Sequence, residues 1–272
     1  MNRDIAKLCC RACSYGYDRM VETPALRGSH PLGAIDENLI EVGTSAVLVL
    51  EFADRRIVVF PGTQSEWGLL RNPTTTWESI RDWVRNLEVH LTSGAEFSLP
   101  GRLHRGFADE LRRVLPDLIQ DLTLRRNLNG EKPLTITGHS QGGAIAAIAA
   151  AVLPLNGFPV SEAYTFAAPH PGDYGFSQFV KASDVSVWRC EYGNDMVPHL
   201  PIRKGQNLLD FHAVGTLVYG RQNCATIIVT DSEILTNEMR RKRMLENHHD
   251  WIAHHHLDPN YFALLEKLPC DS

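Results

Sequence analysis

The sequence lacks several things. No stretch is long and apolar enough to cross a membrane as a helix. The first residues, MNRDIAKLCCRACSYGY, carry charges but no apolar core followed by a small-residue cleavage site. The chain as given is therefore expected to be soluble, and either cytoplasmic, exported without a leader, or already in mature form. There is no excess of positive charge: the formal net charge is −5, which removes nucleic acid as a general partner. The one dense basic run, Arg240, Arg241, Lys242 and Arg243, follows Glu238 and reads as the solvated face of a helix. Internal repeats and low-complexity tracts are absent, which rules out solenoids and disordered arrays. No H-E-x-x-H occurs, and no two cysteine pairs stand at zinc-site spacing, so no metal and no cofactor is expected. The six cysteines are Cys9, Cys10, Cys13, Cys190, Cys224 and Cys270. Without a secretory signal they read as free thiols. Cys9 and Cys13, one helical turn apart, fit a buried helix face better than a redox pair.

What remains is an ordinary globular composition, 43% hydrophobic and 22% charged, in a chain long enough for one large core. One domain over 1–272 is expected. Strand-like and helix-like segments alternate, which predicts an α/β fold with a central, mostly parallel sheet flanked by helices. Residues 44–50 and 56–60 read as a hairpin around Asp54–Arg55. Helical spacing places helices over 77–90 and about 106–123, the second with Phe107, Leu111, Val114, Leu115 and Leu118 on its apolar side. Strands follow at Leu134–Thr137, 160–167 and 185–190, then a charged helix over 232–247 and a last helix near Tyr261–Lys267. Residues 64–76, in a loop taken as about 64–79, fit neither period. Trp67, Leu69 and Leu70 beside Gly68, Asn72 and Pro73 suit a lid over an apolar site, or equally an ordinary loop packed on the core.

The strongest chemical signal is GHSQG at 138–142, a G-x-S-x-G motif between the β-rich run LTIT and the alanine-rich run GGAIAAIAAAVL. A serine hydroxyl is a weak nucleophile and needs an exposed Oγ beside a base. A sharp strand-to-helix turn provides that exposure, and Gly138 and Gly142 relieve the collisions that such a turn forces. The helix start adds N–H groups where negative charge develops. Ser140 is the candidate nucleophile and the Gln141 N–H a candidate oxyanion donor. On this fold the triad order is serine, acid, histidine. Asp195, just past a predicted strand and the Gly193–Asn194 turn, fits the acid better than Glu191, Asp210 or Asp231. The base is left open among His212, His248, His249, His254, His255 and His256, because composition does not choose between them.

Six segments in order resemble the class 3 (fungal-type) lipases of the α/β-hydrolase superfamily, over about residues 44–262. FPGT at 60–63 is similar to F-R-G-[TS], with Pro61 in place of Arg. DWVRNL at 82–87 is similar to D-W-x-x-N-[LF], and LHRGF at 103–107 to V-H-x-G-F. GHSQGGAIA matches G-H-S-[LQM]-G-G-A-x-A; YTFAAPHPGDYGF resembles T-F-G-x-P-R-V-G-N-x-x-F, with His170 where Arg is usual; NDMVPHLP resembles N-x-x-D-x-V-P-x-L-P. The resemblance implies Asp195 as acid and Thr63 as a second oxyanion donor beside Gln141. It also implies a histidine five positions before a tyrosine in D-H-x-x-x-x-Y, which selects His256 through Tyr261 and leaves His255 at the Asp position. His104 and His139 match family positions outside the triad and read as structural.

These residues together predict a Ser–Asp–His hydrolase of carboxylic esters working through an acyl-enzyme. Triacylglycerol lipase or esterase comes first, with transient contact at a lipid interface. A phospholipase A1-type acyl hydrolase, including an exported effector, is the enzymatic alternative. A hydrolase fold kept only for binding is the non-enzymatic one.

Overall fold

The computed structural model describes residues 1–21, 30–62, 90–201, 211–220, 227–230 and 251–268. Thr63, the 64–79 loop, the DWVRNL segment, the helices expected over 77–90 (all but His90) and 232–247, Asp210, Asp231, Arg240 to Arg243, His248, His249, Cys224 and Cys270 lie outside them.

The chain opens with α1 (Arg3–Val21). Three strands follow, β1 (Asp36–Val42), β2 (Ser45–Glu51) and β3 (Arg56–Phe60), each antiparallel to the one before. Short strands β4 (Leu91–Ser93) and β5 (Arg102–His104) precede α2 (Arg105–Asn129). Then come β6 (Leu134–His139), α3 (Gln141–Leu155), β7 (Val160–Phe166), β8 (Gly172–Asp173), α4 (Tyr174–Ala182) and β9 (Ser186–Tyr192). The last elements are β10 (Phe211–His212), β11 (Thr216–Gly220), β12 (Ile227–Thr230), α5 (Trp251–His255) and α6 (Phe262–Glu266).

Among the described residues the main sheet has eight strands in the order β1-β2-β3-β6-β7-β9-β11-β12. The pairs from β3 to β11 are parallel, while β1, β2 and β12 run antiparallel at the two sides. The small sheet β10-β8-β5-β4 stands apart from it.

The period-2 alternation of strands decides which side chains meet which helices. Val47, Val49, Val58, Phe60, Leu134 and Ile136 join the core under α2 and α3. Leu48, Leu50, Ile57 and Val59 join the core under α1 and α6. Both faces are covered, so these strands read as continuous apolar runs rather than as alternating ones. In α3 every residue from Gly142 to Leu153 is buried, and small alanines let it lie close to the sheet. In α2 the buried positions Phe107, Leu111, Val114, Leu118 and Leu122 form one stripe, and the helix continues past its expected end to Gly130, whose φ of 76° ends it.

On the opposite face α1 presents Ala6, Cys9, Cys10, Cys13 and Tyr17 to β3, β6 and β7. The helix-face reading of Cys9 and Cys13 agrees with this. Cys9, Cys10, Cys13 and Cys190 are free and buried, and burial pushes the Cys13 and Cys190 thiols up to about 12.

Candidate active site

Three loops at the carboxyl edge of the parallel strands bring the site together. The first is the turn from β6 into α3. Ser140 holds φ 56° and ψ −130°, a left-handed conformation that costs a non-glycine residue energy. Its neighbours make the turn tight. A Cβ on Gly138 would stand 2.2 Å from the Gly142 carbonyl oxygen, and one on Gly142 would stand 2.0 Å from the Phe60 oxygen. The Ser140 N–H donates to the Phe166 carbonyl at 2.9 Å, tying the turn to β7.

The second loop follows β9. Gly193 takes φ 54°, and the Asp195 N–H donates back to the Tyr192 carbonyl at 3.1 Å. Asp195 is fully buried. Its Oδ1 accepts from the Val197 N–H at 3.0 Å and its Oδ2 from the Tyr261 hydroxyl at 2.6 Å. Burial, then Asp195, push the Tyr261 phenol far above its ordinary value, so it stays a donor. Glu191, the rival acid, lies inside β9 and pairs with Arg189.

The third loop brings the base, and here the structure corrects the sequence. His255, not His256, faces the nucleophile. His255 Nε2 stands 3.1 Å from Ser140 Oγ, and its Nδ1 lies 2.9 and 3.1 Å from the two Asp195 oxygens. A carboxylate only accepts, so Nδ1 carries the proton and Nε2 is left to accept from the serine hydroxyl. His256 turns out of helix with ψ 139°, and its imidazole is half-buried. Burial, then His255, lower its pKa. The counting rule failed for a physical reason. Asp258 is extended (φ −108°, ψ 131°), so the link from base to Tyr261 is kinked and the base stands six positions before the tyrosine, not five.

His254 has a different task. Its Nδ1 accepts from the Asn194 N–H at 3.0 Å, and a Cβ on Gly193 would sit 2.7 Å from that nitrogen. It packs the acid loop against α5. His212 lies in β10 beside Tyr174. The two histidines expected outside the triad are also buried. His104 is buried and stacks on Phe107 at 4.0 Å between centroids, and His139 is buried behind Ser140.

Gln141 opens α3, where the first N–H groups have no acceptor within the helix. The end of β3 runs against this helix start, since Phe60 and Pro61 bound the space at Gly142. Thr63, expected as the second donor, lies outside the described residues. The sequence reading used Tyr261 only as a ruler for spacing and missed its bond to Asp195. The signal available was the tyrosine itself, a buried hydroxyl that needs an acceptor.

Comparison with known proteins shows what the chain and its fold resemble. The family model described as Lipase (class 3) matches residues 73–205. A secreted mono- and diacylglycerol lipase 1 of Fusarium solani is 30% identical over 123 residues, 45% of this chain and 36% of that one. A phospholipase A1-II 1 of Oryza sativa subsp. indica is 27% identical over 157 residues, 48% of this chain and 40% of that one. The chain thus spans about two-fifths of the length of these relatives. Among solved structures, the triacylglyceride lipase of Rhizomucor miehei superposes with a TM-score of 0.67 at 21% identity, over 87% of this chain and 88% of that one, which shows the shared fold. One expectation is overturned: the Fusarium relative is named as secreted, which points to export rather than a cytoplasmic location. Residues 73–205 thus match the class 3 lipase family model, and the chain shares the α/β-hydrolase fold of these lipases.

Proposed function

We propose that this chain is a serine hydrolase of carboxylic esters, with acylglycerols as the first substrate class. The observation that carries the reading is the unbroken contact from Ser140 Oγ through His255 to Asp195, with no side chain between them. His255 Nε2 takes the hydroxyl proton as Ser140 Oγ attacks the ester carbonyl carbon. The imidazolium so formed is stabilised by the Asp195 carboxylate. The tetrahedral oxyanion is held by the N–H groups of Gln141 and Thr63, each worth about 10²–10³ in turnover. The adduct collapses, His255 gives its proton to the leaving alcohol, and water then releases the acyl group by the reverse path. No step draws on a cofactor, and the whole chain is read as one domain. Transient contact with a lipid interface is expected during turnover.

The rice match favours a second reading, in which the acyl group comes from a glycerophospholipid. One panel separates the two: mono-, di- and triacylglycerols against phosphatidylcholine, with wild type and Ser140→Ala, plus fluorophosphonate labelling. Wild type is expected to favour acylglycerols, to label at Ser140, and to lose at least ~10⁴-fold in the variant. Preference for phosphatidylcholine would move the assignment to the phospholipid reading. Hydrolysis retained in Ser140→Ala, or a wild type that neither labels nor turns over, would end the hydrolase reading and leave a binding role.

A further inference from the structure

The base stands at the very end of its helix. α5 runs out at His255 into the kinked link. Yet proton transfer needs Nε2 held within hydrogen-bond reach of Ser140, and a misplacement of about 1 Å can cost ~10²-fold. Something outside α5 must fix the main chain there.

Behind the triad lies a file of three buried groups. The Tyr17 hydroxyl is 2.9 Å from His139 Nδ1, and His139 Nε2 is 2.9 Å from the His255 carbonyl oxygen. Tyr17 and His139 are each 1% exposed. A carbonyl only accepts, so His139 Nε2 carries the proton. Burial, then the neighbouring His255, hold His139 well below its ordinary pKa, so the ring is neutral and Nδ1 must accept. Tyr17 therefore donates. The direction of the file is fixed: Tyr17 O–H to His139, and His139 N–H to the main chain of the base.

We propose that Tyr17 and His139 are positioning residues for the base, linking α1 to the His255 main chain so that nucleophile and base share one anchor. His139 immediately precedes Ser140. Its main chain therefore carries the nucleophile into the turn while its side chain holds the base's carbonyl. One residue sets both ends of the Oγ–Nε2 contact, and Tyr17 holds that residue in a single tautomer. The two rings lie 4.8 Å apart between centroids, so a neutral His139 also avoids opposing the imidazolium on His255. Tyr17 lies outside the stretch that matches the family model. The inference rests on the hydrolase reading above and adds α1 to the working site.

The test uses the full chain and a soluble short-chain p-nitrophenyl ester. Tyr17→Phe removes one oxygen, and kcat is expected to fall about tenfold with KM unchanged. His139→Phe removes both bonds, with an expected fall of about 100-fold in kcat and in the fluorophosphonate labelling rate. His139→Gln, whose amide can reach the same carbonyl, is expected to recover most of that loss. A merely structural role would lower the melting temperature and the active fraction, without a kcat-selective loss that the Gln variant repairs. The proposal is overturned if kcat per labelled site in Tyr17→Phe and His139→Phe stays within twofold of wild type, or if Gln is no better than Phe. A wild type that neither labels nor turns over would sink both this inference and the hydrolase reading. Normal wild-type chemistry with indifferent variants would sink this one alone.

Discussion

The sheet buries a carboxylate at each edge and treats the two in opposite ways. At the amino edge of the parallel strands, Glu51 is fully buried among cations: Arg56 Nε at 2.6 Å, Lys132 Nζ at 2.7 Å and Arg125 Nη1 at 3.8 Å. Burial alone would raise its pKa, but hydrogen bonds from Arg56 and Lys132 outweigh that and lower it. Arg56 goes on to cap the carbonyls of Arg125 and Gly130 at 3.0 and 2.8 Å, closing the end of α2. At the carboxyl edge Asp195 is just as buried, but its partners are a phenol, a backbone N–H and an imidazole. The difference teaches what each charge is for. A carboxylate matched by fixed cations has its charge spent on the fold. A carboxylate held by neutral donors keeps its charge for an imidazolium that exists only during the reaction.

The comparison breaks most sharply at the carboxyl edge. Asp195→Asn keeps the shape and removes the charge, so kcat is expected to fall on the order of 10⁴-fold while the melting temperature barely moves. His255→Ala is expected to lose a similar factor, and His256→Ala to stay within a few-fold of wild type. Steady-state rates on one ester measure all three. A large loss in His256→Ala with His255→Ala active would restore the sequence-based choice and undo the geometry.

At the amino edge the expectation reverses. Glu51→Gln leaves Arg56 and Lys132 buried without their counter-charge, and breaking such a pair from one side costs about 3–5 kcal/mol. Denaturant titration is expected to show that loss, while kcat per labelled active site stays at the wild-type value. If Glu51→Gln instead lowered kcat at full stability, the division of labour between the edges would be wrong.

The parts that were legible in sequence are those where local chemistry and long-range packing ask for the same residues. GHSQG sits between a β-rich run and an alanine-rich one, so the turn, its glycines and Ser140 could be read directly. Asp195 could be placed because Gly193–Asn194 marks the strand end. The base could not, because three consecutive histidines differ only in where α5 stops, and that is set by tertiary packing. β1 was missed since its burial is irregular and its charges, Asp36, Glu37 and Glu41, read as loop. The strands of the small sheet are two or three residues long, too short for any period. The bond from Tyr17 to His139 spans 122 positions, and no local pattern announces it.

A smaller effect sharpens the comparison with a third buried polar group, one that has neither cations nor a reaction. His104 is 2% exposed, and among the described residues neither ring nitrogen has a hydrogen-bond partner. Burial, then His90, lower its pKa to about 4 from an ordinary 6.5. Above pH 6.5 the group is neutral in both folded and unfolded chains and makes no pH-dependent contribution. As pH falls from 6.5 towards 4, the unfolded chain takes up a proton that the folded chain refuses, so stability drops by up to about 3 kcal/mol. Below 4 both forms are protonated and the difference stops growing. His104→Phe, stacked on Phe107 in the same place, has no proton to refuse. Unfolding free energies measured at pH 7, 5.5 and 4.5 are expected to fall less steeply in His104→Phe than in wild type. Equal slopes would mean that His104 titrates in the folded chain as it does in water, and that its burial beside Phe107 and Phe211 does not isolate it.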